Sequence, residues 1–264
     1  MAASKSAGEI LESVVEDGQE ELDRASMGLA LSGVAAGLNI SFGAVALGVV
    51  GAAMGGAGLV TALVYPIGFL IVILGRSQLF TENTITPLTV VLTRFNSLPN
   101  MLRLWAVVFV FNILGAVAFA AALVYGDVLR PAAFEILLDE TATKLEYGFW
   151  LTVLKGVLGG WIVALMPWMV AASRDTISQV FFVYILAFLI PAGGLTHCIA
   201  GSSEVLVGVF AGEATLSEYL GLFLLPSTLG NIVGGVVLVT LLNYGQVAGS
   251  KEGSPADSMG EDVR

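Results

Sequence analysis

His197 is the one histidine of the chain, and it stands in an apolar stretch where a titratable side chain is costly. It lies in the sequence Gly193-Gly194-Leu195-Thr196-His197-Cys198. An ionisable group at membrane depth marks a pathway by default, and an imidazole can hydrogen-bond an anion and exchange a proton with it near neutral pH. The competing interpretation is a structural histidine that bonds to nearby backbone. A metal site with Cys198 is disfavoured because adjacent side chains diverge and the chain has no other histidine or cysteine.

A second set of polar residues interrupts another apolar stretch, in the sequence Leu79-Phe80-Thr81-Glu82-Asn83-Thr84. The Thr81 hydroxyl could donate to an anion or bond the histidine. Threonines in membranes also bond back to helix carbonyls, so Thr81 alone does not distinguish the two roles. Arg76 and Glu82 flank the same segment. Opposite charges at membrane depth are expected to pair with each other or with backbone, and so to support this loop rather than contact a substrate.

Two lysines lie near the start of the fourth apolar stretch. A cation at Lys144 would attract small anions into a vestibule, and the alternative is an ordinary loop lysine. Lys155 lies deeper and is expected to snorkel. The sequence has no histidine–carboxylate cluster, no phosphate-binding glycine loop and no nucleophile elbow. We therefore expect no enzymatic activity, no cofactor and no metal.

One stretch of the chain occurs twice. Residues 112–126 and 231–245 are identical at seven of fifteen positions, at a constant offset of 119 residues. Gly33-Val34-Ala35-Ala36-Gly37 is echoed by Gly156-Val157-Leu158-Gly159-Gly160 at an offset of 123. The two copies of the longer stretch begin with the matched residues Asn112 and Asn231. Their side chains could hydrogen-bond exposed carbonyls of broken helices. If each half has three crossings, the two halves enter the membrane in opposite orientations, which is typical of transport proteins.

The composition is that of a membrane protein, with 56% hydrophobic and 12% charged residues, against about a quarter charged in soluble domains. Six apolar segments are each close to the roughly 20 residues that a spanning helix needs, at residues 26–51, 57–75, 104–125, 148–172, 177–193 and 217–243. The second and fifth are short and run into irregular segments, at 75–87 and 191–203. Breaks at corresponding places predict a transport site where the two loops meet.

The charge pattern predicts three parts, namely an acidic segment 1–25, a membrane domain 26–245 and a disordered acidic tail 246–264. The two repeats of the domain cover about 26–126 and 148–245. Most basic residues outside the spans fall on the side of the termini, which the positive-inside rule places in the cytoplasm. The acidic ends and a net charge of −10 argue against nucleic acid as a partner.

Two segments outside the spans carry their own predictions. Residues 7–26 have the pattern of an amphipathic helix against the cytoplasmic face, which Gly18 weakens. A pore-gating role for this helix is the alternative to a solvated one. Residues 126–147 are predicted to form a long loop on the opposite face, with more acidic than basic residues.

Over about residues 26–245 the chain resembles the formate–nitrite transporter family. The likeness rests on Gly75 through Leu79-Phe80-Thr81, on Gly194 through His197 to Ala200, and on the paired Asn-Ile-x-Gly segments. It implies an all-α integral membrane protein with six transmembrane helices as two inverted three-helix repeats. It also implies that helices 2 and 5 are broken in an aquaporin-like arrangement, and that the protein forms a homopentamer with one pore in each subunit.

The resemblance also implies roles for single positions. His197 is then the central pore histidine, Thr81 faces it, and Lys144 lies near the pore mouth. Leu79 and Phe80 lie on the pathway loop. Two constrictions are implied, one at Tyr65 and Phe69 and the other at Ile190, with Asn112, Asn231, Arg76 and Glu82 as supporting residues. The chain departs from better-known members at Arg76-Ser77-Gln78, Glu82-Asn83, Thr196 and Tyr65.

Together these observations predict a channel or proton-coupled transporter, in the plasma (inner) membrane, for small monovalent anions of weak acids such as formate or nitrite. The anion is drawn to Lys144 and takes up a proton from His197, or from water held by it. The neutral acid then passes the constrictions, because desolvating a bare ion costs many kcal/mol. The alternatives are a neutral-solute channel for water or glycerol, although the Asn-Pro-Ala pairs of aquaporins are absent, and a sensor or scaffold whose acidic ends bind a partner.

Overall fold

The computed structural model describes residues 4–94 and 98–252, and within these ranges every regular element is a helix. The helices are α1 (Ala7–Asp23), α2 (Ser26–Ile40), α3 (Phe42–Met54), α4 (Leu59–Ala62), α5 (Ile67–Leu74), α6 (Thr86–Arg94), α7 (Leu98–Tyr125), α8 (Pro131–Glu146), α9 (Gly148–Ala172), α10 (Thr176–Ala192), α11 (Ala200–Ala211), α12 (Leu216–Glu218), α13 (Leu225–Val233) and α14 (Leu242–Glu252). A 3₁₀ turn (Glu82–Thr84) precedes α6, and π-helical segments (Tyr219–Leu224 and Gly234–Leu241) flank α13.

Six membrane spans follow from these helices. Four helical segments are long and apolar enough to cross a bilayer, namely Ser26–Met54, Leu98–Tyr125, Gly148–Ala172 and Leu216–Gly249. The other two spans are broken, since α5 is followed by a loop and then α6, and α10 by a loop and then α11. The predicted number of spans and the breaks in the second and fifth are thus confirmed.

The two halves pack in the same way. Helix α2 lies against α7 in the first half, and α9 lies against α13 in the second. Both contacts depend on small residues, because an added Cβ at Gly37 would lie 2.1 Å from the Asn112 carbonyl oxygen, and one at Gly160 would lie 2.4 Å from the Asn231 carbonyl oxygen. Close approach through small residues is the usual way in which helices associate in lipid. It places Asn112 and Asn231 at the centre of their halves.

Helix α8 corrects the prediction of a long loop at residues 126–147. The helix starts at Pro131, a residue suited to the first helical turn, and buries one face against α3 and α11. Its buried residues Ala133, Ile136, Leu137 and Thr141 have helical spacing. The number of charged residues in this segment obscured that pattern. The correction matters because α8 carries Lys144.

The predicted amphipathic helix near the N-terminus forms as α1, and it packs against α6. Gly18 is part of that contact rather than a weak point, because an added Cβ there would lie 2.3 Å from the carbonyl oxygen of Thr86. Helix α1 also contacts α14, so both ends of the described chain lie on one face, here called the terminal face. Helix α14 extends to Glu252, into the segment predicted to be disordered, and residues 253–264 of that tail lie outside the described residues.

Candidate functional site

His197 and Thr81 meet at the junction of the two broken spans. The His197 Nε2 and Thr81 Oγ1 atoms are 2.7 Å apart, and both residues are 1% exposed. Each lies in the loop between two half-helices, where the backbone leaves helical geometry and can present polar groups at membrane depth. The structure therefore brings together the two residues that were predicted to face each other.

The hydrogen bonds of His197 define its tautomer. The backbone N–H of Ala200 donates to Nδ1 over 3.0 Å, so Nδ1 carries no proton. A neutral imidazole has one N–H, which must then be on Nε2, where it donates to Thr81 Oγ1. The Thr81 hydroxyl proton is left to donate elsewhere. The pair is thus a preorganised hydrogen-bond donor, and protonating His197 would break its bond to Ala200.

Asn112 and Asn231 hold the two loops with the same hydrogen bonds. The Asn112 amide accepts from Phe80 N and donates to the carbonyls of Gly33 and Gln78, each at 2.9 Å. The Asn231 amide accepts from Cys198 N at 2.9 Å and donates to the carbonyls of Gly156 and Thr196, at 2.8 and 3.1 Å. Both asparagines are fully buried. They satisfy backbone groups that the broken helices leave unpaired, which agrees with the predicted supporting role.

The matched loops also share a left-handed residue. Gly194 has φ +56°, and Arg76, which precedes Gln78 as Gly194 precedes Thr196, has φ +52°. Glycine adopts this conformation freely, whereas for an arginine it stores strain. Retained strain at a loop of this kind points to a function for the side chain. The Arg76 side chain lines a cavity on the terminal face.

Replacing Arg76 by glycine is expected to leave the fold intact and to raise the free energy of unfolding by up to about 1 kcal/mol, because the left-handed strain is relieved. Thermal unfolding in detergent measures the change. The matched variant Gly194→Ala adds a Cβ at φ +56° and should lower stability by about 1–2 kcal/mol. A large loss of stability in Arg76→Gly would show that the arginine holds the loop.

Lys144 does not offer the free cation that the sequence suggested. Its ammonium donates to Glu140 Oε2 at 2.5 Å and to Glu204 Oε2 at 2.6 Å. The Tyr65 hydroxyl donates to the other oxygen of Glu204 at 3.1 Å. These residues line a cavity of about 200 Å³ beside α8, here called the α8-side cavity. An anion in this cavity would meet two carboxylates as well as the ammonium.

The residues predicted to form constrictions lie at this cavity or against the histidine. Tyr65 and Ile190, one from each predicted constriction, both line the α8-side cavity. Phe69 is fully buried and contacts the His197 ring edge-on, with ring centroids 5.2 Å apart. Leu79 is also fully buried. Phe80 packs edge-on against Trp105 and Phe109 of α7, which anchors its loop.

A second cavity, the terminal-side cavity, opens on the opposite face between α1 and the first broken span. Its charged lining residues are Asp17, Glu20, Glu21, Arg24, Arg76 and Glu82. Arg76 and Glu82, expected to pair with each other or with backbone, form no ion pair with each other; the ion pairs within 4 Å among the described residues are those of Lys144. Burial raises the pKa of the Asp17 carboxyl, and the nearby Arg76 charge offsets part of that increase.

Docking of α1 in this cavity is expected to depend on pH through Glu21. Burial raises the pKa of the Glu21 carboxyl from 4.5 to about 7, although Thr86 and Gln78 donate to it and act in the other direction. The docked helix therefore favours the protonated carboxyl. Its docking is strongest below about pH 4.5 and weakens as the pH rises to about 7.

Hydrogen–deuterium exchange of α1 amides, corrected for intrinsic rates, measures this effect. We expect stronger protection at pH 5 than at pH 8. The variant Glu21→Gln should lose most of this dependence, whereas Glu20→Gln, at an exposed position of the same helix, should retain it. An unchanged pH dependence in Glu21→Gln would contradict the assignment.

Glu204 is the site residue that the sequence analysis missed. It lies in α11 seven residues after His197, is fully buried, and faces Lys144 and Tyr65. The available signal was an acidic residue within an apolar helix, which by itself marks a functional position. Lys155, which was expected to snorkel, donates to the Gly194 carbonyl at 2.8 Å and lies over the Tyr147 ring.

Comparison with known proteins gives a consistent result. The family model described as formate/nitrite transporter matches residues 8–245. The inner membrane protein YfdC of Escherichia coli is 33% identical over 90% of this chain and 78% of its own length. A probable formate transporter of Methanothermobacter thermautotrophicus is 30% identical over 79% of this chain and 85% of its own.

A solved structure described as a pentameric formate channel with formate bound has the same fold. It superposes with a TM-score of 0.72 at 20% identity, over 84% of this chain and 98% of that one. The family consists of channels and transporters rather than enzymes. The chain belongs to the formate/nitrite transporter family, and it is a multi-pass membrane channel or transporter.

Proposed function

We propose that the chain conducts small monovalent weak acids such as formic or nitrous acid, as a channel or in a proton-coupled cycle. The pathway runs from the α8-side cavity past Tyr65, Ile190 and Phe69 to His197 and Thr81, and then to the terminal-side cavity. The observation that carries the proposal is the buried His197–Thr81 pair, a fixed hydrogen-bond donor enclosed by apolar side chains. A known formate channel with this fold supports the substrate class.

The chemistry of the centre favours the neutral acid as the species that crosses. Moving a bare carboxylate into an apolar constriction is far more costly than moving the protonated acid. The neutral acid still needs hydrogen-bond partners, and the Thr81 hydroxyl can donate one bond to its carbonyl oxygen. His197 holds Thr81 in this orientation through Nε2–H. The proton travels with the acid and is not supplied by an imidazolium.

The same proposal covers assembly and location. We infer a homopentamer with one pathway per subunit, because the formate channel with the same fold is pentameric. Exposed apolar side chains such as Trp150, Phe181 and Ile177 are available for lipid or for neighbouring subunits. We place the protein in the plasma (inner) membrane, as for YfdC, with both termini in the cytoplasm by the positive-inside rule.

Uptake into proteoliposomes across a pH gradient tests the proposal, with formate, nitrite, acetate, hydrosulfide and glycerol as solutes. We expect uptake of one or more weak acids that rises as the external pH falls, and little glycerol uptake. Glycerol flux without pH dependence would instead indicate a neutral-solute channel. Absence of flux for the whole panel would contradict the proposed function and favour a sensor or scaffold.

A further inference from the structure

The charges at the α8-side cavity are arranged around one buried carboxylate. Glu204 is 1% exposed at its side chain, compared with 11% for Lys144 and 19% for Glu140. Both Glu204 oxygens accept hydrogen bonds, one from the Lys144 ammonium and the other from the Tyr65 hydroxyl. The two donors, one of them an ammonium, favour the ionised form of this carboxylate against the effect of burial. Glu204 thus fixes a negative charge beside the constriction.

The charge of Lys144 is more than balanced within the cavity lining. The charged lining residues are Glu140, Lys144 and Glu204, two acids and one base. The other charged groups on the surrounding elements are Lys155 of α9, which is bonded to the Gly194 carbonyl, and the exposed Glu135, Asp139 and Glu146 of α8. When Lys155 is counted as well, the net charge around the cavity is at most zero. An anion gains no net attraction on approaching Tyr65.

The same arrangement still accommodates an uncharged acid. An ammonium has three N–H donors, and two of those on Lys144 are used by Glu140 and Glu204. The third can donate to a carbonyl oxygen of a ligand in the cavity. The terminal-side cavity has a similar excess of acids, with four carboxyl and two guanidinium groups in its lining. Neither cavity has more basic than acidic side chains in its lining with which to concentrate anions.

We propose that Glu204 is a specificity-determining residue, which cancels the charge of Lys144 so that the α8-side cavity admits neutral weak acids and rejects their anions. This inference rests on the proposed function, since it names the species that the same pathway accepts. It implies that the protein favours weaker acids, of which a larger fraction is neutral at a given pH. Acetate and hydrosulfide should then exceed formate and nitrite in uptake at equal total concentration.

The variant Glu204→Gln tests this role. Glutamine retains the size of the side chain and an oxygen for the Tyr65 hydroxyl, but it leaves Lys144 with one carboxylate. In the unmodified protein, formate uptake at fixed total concentration should fall about tenfold per pH unit, as the neutral fraction does. In Glu204→Gln the decline should be shallower, with at least about tenfold more uptake at pH 8, because Lys144 and Lys155 then outweigh Glu140 and a positive cleft concentrates anions.

Controls separate a charge effect from damage to the fold. Asp139→Asn removes a charge from an exposed position on α8 and should behave as the unmodified protein. If Glu204→Gln does not assemble, Glu140→Gln removes the more exposed partner of Lys144 and should shift the profile in the same direction. A pH profile in both Glu variants equal to that of the unmodified protein would overturn the inference.

A binding measurement distinguishes failure of this inference from failure of the proposed function. Calorimetry with sodium formate at pH 8 reports on anion binding whether or not the protein transports formate. We expect binding to Glu204→Gln at least about tenfold tighter than to the unmodified protein. Equal or weaker binding in the variant would overturn the role of Glu204, whereas tighter binding without flux in either protein would contradict the proposed function alone.

Discussion

Replacing His197 by phenylalanine is expected to reduce weak-acid uptake by roughly 10- to 100-fold, the cost of leaving one buried hydrogen-bonding group without a partner. The variant removes the Nε2–H that orients Thr81, and the hydroxyl can then turn away from the pathway. Uptake of the transported acid into proteoliposomes at pH 5.5 measures the effect. Size-exclusion chromatography should show unchanged assembly.

Two further variants locate the cause of that loss. Thr81→Val keeps the side-chain shape but removes the hydroxyl, and it should reproduce most of the effect. Cys198→Ala changes the neighbouring buried residue and should leave uptake within about twofold, because Cys198 is a free cysteine outside the His197–Thr81 pair. Full uptake by His197→Phe would mean that the histidine is structural, as its bond to Ala200 alone would suggest.

Replacing Asn231 by leucine is expected to lower the free energy of unfolding by about 3–6 kcal/mol, because three buried backbone groups lose their partners at once. Those groups are the amide N–H of Cys198 and the carbonyls of Gly156 and Thr196. Thermal unfolding in detergent measures the loss. The matched Asn112→Leu should cost about as much, because Asn112 makes the same three kinds of bond.

The control for both asparagines is aspartate. Asn231→Asp retains the oxygen that accepts from Cys198 but loses the two N–H donors. The Cys198 amide then keeps its partner, whereas the carbonyls of Gly156 and Thr196 lose theirs. Thr228 is a half-buried position of the same helix that donates to the backbone carbonyl of Leu224, and Thr228→Val should change stability by less than about 1 kcal/mol. If Asn231→Leu were as mild, the loops would be held by packing alone.

The sequence predicted the architecture well, because a repeat and long apolar segments can be recognised without knowing any tertiary contact. The matched residues Asn112 and Asn231 begin two copies of one sequence motif, and in the structure they make equivalent hydrogen bonds. The junction of the broken spans followed from the same symmetry. The pairing of His197 with Thr81 came from a resemblance, since no local pattern joins two loops of different halves.

The electrostatics of the site could not be predicted in the same way. Lys144 and Glu204 are 60 residues apart, and they meet only because α8 is a helix that packs against α11. Because residues 126–147 were interpreted as a loop, this contact was not predicted, and Lys144 was expected to be a free cation. The tautomer of His197 likewise depends on one backbone bond in the folded loop. Gly18 seemed to weaken α1 because its role is a contact with another span.

The most direct test of the central claim is formate uptake with the pH gradient and the membrane potential varied separately, using valinomycin and potassium to set the potential. If the neutral acid crosses the His197–Thr81 centre, uptake follows the pH gradient and is unchanged by a potential of about 100 mV, which acts only on moving charge. Uptake that changes several-fold with the potential at zero pH gradient would show that the anion itself crosses, and would contradict this account.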